Sequence, residues 1–196
     1  MKTGSIIFFV FLNFAFAQEG NTVKKKIVDF DATQFSIEDF KIYSNAVKDF
    51  QVWKSTTLTA PTTNSKSSLL LRIKNSSSKI PIEFLFKTSY EFEEFVEAIE
   101  FTFYSSGSNS ELYFYFDDTK FARHKIFVSK LDEEGWKTVT VTLPKIVSQM
   151  DYISFRKSKT TLVGLVIETS KFPNLAEFII GFDSIHGFFK SKILLP

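Results

Sequence analysis

Two histidines, three acidic clusters and four large aromatic residues are the positions at which this sequence could do chemistry. His124 and His186 stand far apart in the chain, and neither lies in a metalloprotease, nucleophile-elbow or phosphate-loop motif. The acids occur as Asp117-Asp118, Glu93-Glu94 and Asp132-Glu133-Glu134. Neighbouring residues of a strand point to opposite faces, so adjacent acids make a poor general-acid and general-base pair. Their expected places are strand ends and turns. A calcium ion needs clustered oxygens, and Asp117 or Asp118 could supply one, but no ligand-loop pattern surrounds them. The chain has no cysteine, which excludes disulfides, thiolate catalysis and cysteine–zinc sites. The reading is therefore of a non-enzyme with no catalytic, cofactor or metal residues.

Trp53, Tyr113, Tyr115 and Trp136 offer a different chemistry. Aromatic faces stack on the apolar faces of sugar rings, and a phenol or indole adds a polar handle. Tyr113 and Tyr115 alternate with Leu112, Phe114 and Phe116, so the two sets face opposite ways. With the phenylalanines in the core, the tyrosines are free for a sugar, a protein partner or cross-strand pairing. Trp53, Tyr113, Tyr115 and Asp117 form the candidate partner or sugar surface. Trp136 follows an acidic turn and reads as a core anchor.

The elements that must position these residues are strands. Ile99, Phe101 and Phe103 alternate with polar neighbours, as do Val139, Val141 and Leu143. Residues 69–73, 162–167 and 178–182 are nearly continuous apolar runs, short enough for strands buried on both faces. Residues 105–110 read as a wide hairpin, and 132–135 as a tight turn. Phe40, Tyr43, Val47 and Phe50 share one face of a helix, with Ser36 and Asp39 as its cap, and Pro144 opens a second helical turn. Eight to ten strands without a βαβ rhythm predict an all-β fold, a two-sheet antiparallel β-sandwich of jelly-roll, galactose-binding-like type with one or two short helices.

At the start, Lys2, an apolar run over 6–12 and Ala15-Phe16-Ala17 have the three parts of a cleavable export signal over residues 1–17. One β-sandwich domain is expected over 18–196, outside the cytoplasm and in a periplasm. The formal charge is only +2, and Lys24-Lys25-Lys26 reads as a solvated strand edge, so neither nucleic acid nor a membrane is expected as partner. Phenylalanine is heavily used, at 25 residues, which a strand-rich core accommodates.

An ordered set of features completes the reading. Residues 96–105 enter the alternating pair, and Leu112-Tyr113-Phe114-Tyr115-Phe116-Asp117-Asp118 follows. Then come Gly135-Trp136-Lys137, a β-branched strand into Leu143-Pro144-Lys145-Ile146 with Gln149, the run around Gly164, and Phe182-Asp183-Ser184-Ile185. Ile27-Val28-Asp29-Phe30 and Val52-Trp53 stand upstream in matching order. In this order the chain resembles the flagellar filament outer layer, or FlaA sheath, family of spirochaetes. It departs from that family in ending soon after the last matched strand and in Gly187-Phe188-Phe189-Lys190, as a short paralogue would. The resemblance implies structural roles for Asp29, Phe30, Gly135, Trp136, Pro144, Gln149, Gly164, Phe182 and Asp183. It implies a structural protein of the periplasmic flagellum, binding the flagellin core filament or other sheath proteins in an open assembly and contributing to motility. The alternative is a carbohydrate-binding module of the periplasm or cell envelope.

Overall fold

The computed structural model describes residues 22–31, 37–43, 50–74, 81–92, 96–117, 123–142, 160–169 and 177–190. Residues 1–21, the helical turn expected after Pro144, Gln149, Asp118 and the Glu93-Glu94 pair lie outside them. Eleven strands run through the described residues: β1 (Thr22–Asp29), β2 (Phe40–Tyr43), β3 (Phe50–Ser55), β4 (Ser68–Lys74), β5 (Ile82–Phe92), β6 (Val96–Ser106), β7 (Ser110–Asp117), β8 (Arg123–Lys130), β9 (Glu134–Thr142), β10 (Thr160–Thr169) and β11 (Glu177–Lys190).

They form two antiparallel sheets. The first has the order β3-β4-β11-β6-β9, with β1 also paired to β11; the second has the order β2-β5-β10-β7-β8. Strand β11 is long enough to change partners along one edge. Residues 177–182 pair with β4, and Ser184 to Lys190 pair with β1. Asp183 is the extra residue at that change, a β-bulge, and its carbonyl accepts the Phe30 N–H at 3.0 Å.

The inner faces meet in a phenylalanine core. Phe101, Phe103 and Phe182 of the first sheet and Phe114 and Phe116 of the second are buried, as is Phe30 at the end of β1. Ring centroids lie 5.4 Å apart between Phe101 and Phe114 and 5.8 Å apart, edge to face, between Phe84 and Phe182. Such pairs add about 0.5–1.5 kcal/mol each to the burial of the rings themselves. The alternation read for residues 99–103 and 112–117 thus produces the sandwich, and the fold class is as expected.

Three local expectations are corrected. Phe40–Tyr43, expected in a helix, is strand β2, preceded by a short 3-10 turn at Ile37–Asp39. Over so few residues the period is ambiguous, because Phe40 and Ile42 also alternate as a strand requires, and pairing with β5 decides. Residues 105–110 are no hairpin: β6 lies in one sheet and β7 in the other. The acidic turn before Trp136 is likewise a crossing between sheets. The two crossings are tied together, Ser108 N–H donating to the Leu131 carbonyl at 2.6 Å and Leu131 N–H to that of Ser110 at 2.8 Å. Third, Trp136 is not in the core. It stands half-buried on the outer face of the first sheet, beside Tyr104, with ring centroids 5.7 Å apart.

Candidate functional site: the outer face of the five-stranded sheet

Alternation puts Leu112, Phe114 and Phe116 in the core, so Glu111, Tyr113, Tyr115 and Asp117 emerge on the far side of β7. Antiparallel register then fixes their neighbours. Tyr43, Glu83, Val166, Tyr113 and Phe127 form one row across all five strands. Lys41, Leu85, Gly164, Tyr115 and Lys125 form the next. Four strand spacings of about 4.8 Å separate the ends of each row, a span of roughly 19 Å. Tyr43 and Phe127, at the ends of the first row, are 51% and 42% exposed, which is unusual for large apolar rings on edge strands.

The two central tyrosines are held in place by charge. The Tyr113 hydroxyl donates to Glu111, and the Tyr115 hydroxyl donates to Glu83 at 3.2 Å. Burial, then these carboxylates, raises both phenols above their ordinary pKa, so they stay protonated donors. Lys125 Nζ lies 4.3 Å from the Tyr113 ring centroid, and the Arg123 guanidinium lies 5.3 Å from that of Tyr115. Lys125 in turn pairs with Glu168. Arg123 donates twice to Asp117, from Nε at 2.9 Å and from Nη2 at 3.1 Å. Those hydrogen bonds from Arg123, partly offset by burial, raise its pKa further. The result is a broad face of fixed rings interleaved with ionic donors and acceptors. Chemically it can stack flat apolar surfaces and hydrogen-bond vicinal hydroxyls.

Of the four residues read as one surface, three come together here. Trp53 does not: it lies on β3 in the other sheet, half-buried, with the Arg72 guanidinium 5.9 Å from its ring. Asp117 is paired with Arg123, and no cluster of potential metal ligands occurs among the described residues. Of the acidic turn, Glu133 pairs with Lys137 at 2.8 Å, and Glu134 accepts from Tyr104 at 3.2 Å, as expected of turn residues. Sequence reasoning missed Tyr43, Phe127, Arg123 and Lys125. Phe127 left a signal, a large aromatic on the otherwise polar side of an alternating strand between Ile126 and Val128.

The structure places the positions expected to be structural as follows. Asp29 pairs with Lys26 at 2.8 Å, and Gly135 takes a φ of +129° at the start of β9. Gly164 sits at a bulge in β10, and Phe182 is in the core.

No protein-family model matches the chain, and no curated protein is significantly similar to it in sequence. Solved structures are similar in fold. The enzymatically active domain of tailspike protein 4 of bacteriophage CBA120 matches 84% of this chain and 21% of its own, with 10% identity and a TM-score of 0.54. The solution structure of the module CtCBM11 matches 90% of this chain and 99% of its own, with 10% identity and a TM-score of 0.51. A family 11 carbohydrate-binding module from Clostridium thermocellum, in complex with a β-1,3-1,4-mixed-linked tetrasaccharide, matches 84% of this chain and 94% of its own, with 12% identity and a TM-score of 0.48. The chain thus has a jelly-roll β-sandwich fold like theirs, while spanning about a fifth of the tailspike domain.

Proposed function

We propose that this protein is a non-catalytic glycan-binding module whose ligand lies across the outer face of the five-stranded sheet. The observation that carries the reading is the row Tyr43–Tyr113–Phe127 with Tyr115 beside it, aromatic rings held on an open face among carboxylates, a guanidinium and an ammonium. Rings already fixed by Glu111, Glu83, Lys125 and Arg123 need little reordering to receive a sugar, which lowers the entropic cost of binding. Likeness of fold to carbohydrate-binding modules is compatible with this reading but does not by itself assign a ligand.

The experiment is affinity electrophoresis in gels containing peptidoglycan fragments, mixed-linked β-glucan, xylan, mannan or galactan. Retardation by at least one is expected. Tyr43→Ala, at an exposed position, is expected to weaken it by about tenfold or more, roughly 1.4 kcal/mol, with the thermal midpoint unchanged. Free migration in every gel, or full retardation of both Tyr43→Ala and Tyr113→Ala, removes the proposal.

A second reading draws on the same exposed rings. Tyr43 and Phe127 stand on the two edge strands of this sheet, where a neighbouring subunit can cover them. In that reading the protein is exported to the periplasm and packs laterally in the sheath of a flagellar filament. Purified periplasmic flagella then contain it, and a Tyr43→Ser, Phe127→Ser variant is lost from them. Its absence from such filaments decides against the sheath.

A further inference from the structure

The opposite face of the sandwich holds a concavity of about 520 Å³, within the range of small-molecule sites, about 300–1,000 Å³. It lies where β1 and β6 flank the second half of β11. Lys26, His186 and Glu100 stand side by side in one row, and Asp29, Ser184, Thr102 and Thr138 in the next. Outward positions on four adjacent strands are thus polar. One step further along the sheet the row is Leu70, Gly181, Tyr104 and Trp136, which is apolar, so the polar patch is local.

Thr62 and Thr63, in the segment between β3 and β4, supply a wall. That wall is pinned. The Asp31 carboxylate accepts from Lys66 N–H at 2.9 Å and from Ser67 Oγ at 2.6 Å, and Thr63 Oγ1 donates to Ser65 at 3.0 Å. The cleft is therefore preformed.

The lining chemistry selects a ligand. It contains no phenylalanine, tyrosine or tryptophan ring on which a neutral sugar could stack, and its one aromatic group is the His186 imidazole. It contains five hydroxyl-bearing residues, two ammoniums and one carboxylate, with His186 kept mainly neutral. Burial first, and then the charge of Lys24, lowers the His186 pKa, although Glu100 opposes this. Lys24 Nζ reaches Glu100 at 2.6 Å, and Lys26 Nζ reaches Asp29, outside the lining, at 2.8 Å. An ammonium has three donors, so each lysine retains capacity towards the cleft. Glu100 and Asp29 each engage one lysine and balance its charge, and the remaining N–H donors of the two ammoniums, among hydroxyls, suit the carboxylate and hydroxyls of a small hydroxylated anion.

We infer that this cleft is a second ligand site, taking a small polyhydroxylated carboxylate of the uronic-acid class. The carboxylate sits on Lys26 and Lys24, and the hydroxyls sit on Thr102, Thr138 and Ser184. The site lies on the other sheet and is independent of the tyrosine face.

The test is titration of the isotope-labelled full chain with sodium D-glucuronate and with D-glucose, followed by NMR. Glucuronate is expected to give saturable shifts at Lys26, Thr102 and His186, with glucose weaker by about tenfold or more. Lys26→Met, and Lys26→Gln as a second variant, weaken glucuronate by about tenfold, whereas Glu100→Gln strengthens it by removing a repelling charge. Tyr43→Ala leaves it unchanged. Equal binding of glucose and glucuronate, no saturable shift, or indifference to both Lys26 variants in chains that melt normally overturns the inference.

Discussion

Gly164 marks a place where the fold has no room, and substituting alanine there makes a quantitative prediction. A Cβ built on Gly164 lies 2.0 Å from the Phe84 carbonyl oxygen and 3.0 Å from Leu85 Cα. A carbon and a carbonyl oxygen settle no closer than about 3.3 Å, so β5 and β10 must separate locally by roughly 1.3 Å. Backbone hydrogen bonds near 2.9 Å do not survive such a displacement. Two ladder bonds at about 1 kcal/mol each, with about 1–3 kcal/mol of overpacking, put the loss for Gly164→Ala at roughly 3–5 kcal/mol. The atoms met are backbone, so no rotamer change relieves the contact. Urea unfolding followed by tryptophan fluorescence measures the loss, through Trp53 and Trp136 on the other sheet. Gly135→Ala is the comparison. Its Cβ meets nothing within 4 Å, but its φ of +129° strains any side chain, and the expected loss is about 1–3 kcal/mol. A loss below about 1 kcal/mol at Gly164, or a larger one at Gly135 than at Gly164, refutes the reasoning that close strand approach requires glycine in β10.

Three further outcomes are expected. Phe101→Ala removes a fully buried ring that touches Phe103, Phe114 and Phe182, and costs about 3–5 kcal/mol in the same urea assay. Asp117→Asn breaks the exposed pair with Arg123 and changes stability by no more than about 1 kcal/mol, even though it loosens the cation over Tyr115, so a large loss means the pair is misread. The folded-state pKa of His186 lies below its unfolded value, under the combined influence of burial, Lys24 and Lys26 from β1, Glu100 from β6 and Asp183 on β11. Its contribution to stability is therefore full above about pH 6.5 and declines as pH falls towards the folded value. The urea midpoint should drop between about pH 7.5 and 5.5 by more in the natural chain than in His186→Gln, and equal drops exclude the linkage.

The inward and outward sets of β7 were legible in the sequence because Leu112, Phe114 and Phe116 alternate with Tyr113 and Tyr115, and strand geometry leaves no other arrangement. The partners of a strand were not legible. Gly107 has a φ of +83°, a conformation that serves a hairpin and a crossing between sheets equally, and what sends β6 to one sheet and β7 to the other is pairing with β11 and β10, more than 40 residues away in the chain. That choice carried Trp53 and Trp136 to one side of the sandwich and the tyrosines to the other, dividing a surface that composition alone had joined. The site depends on the same long-range terms. Tyr43 looked helical because its segment is short, and only the β2–β5 pairing brings it into line with Glu83, Val166, Tyr113 and Phe127. The residues with the clearest local signals, the phenylalanines of the core, therefore specify the layers, while the residues a ligand would touch are assembled by register between strands distant in sequence.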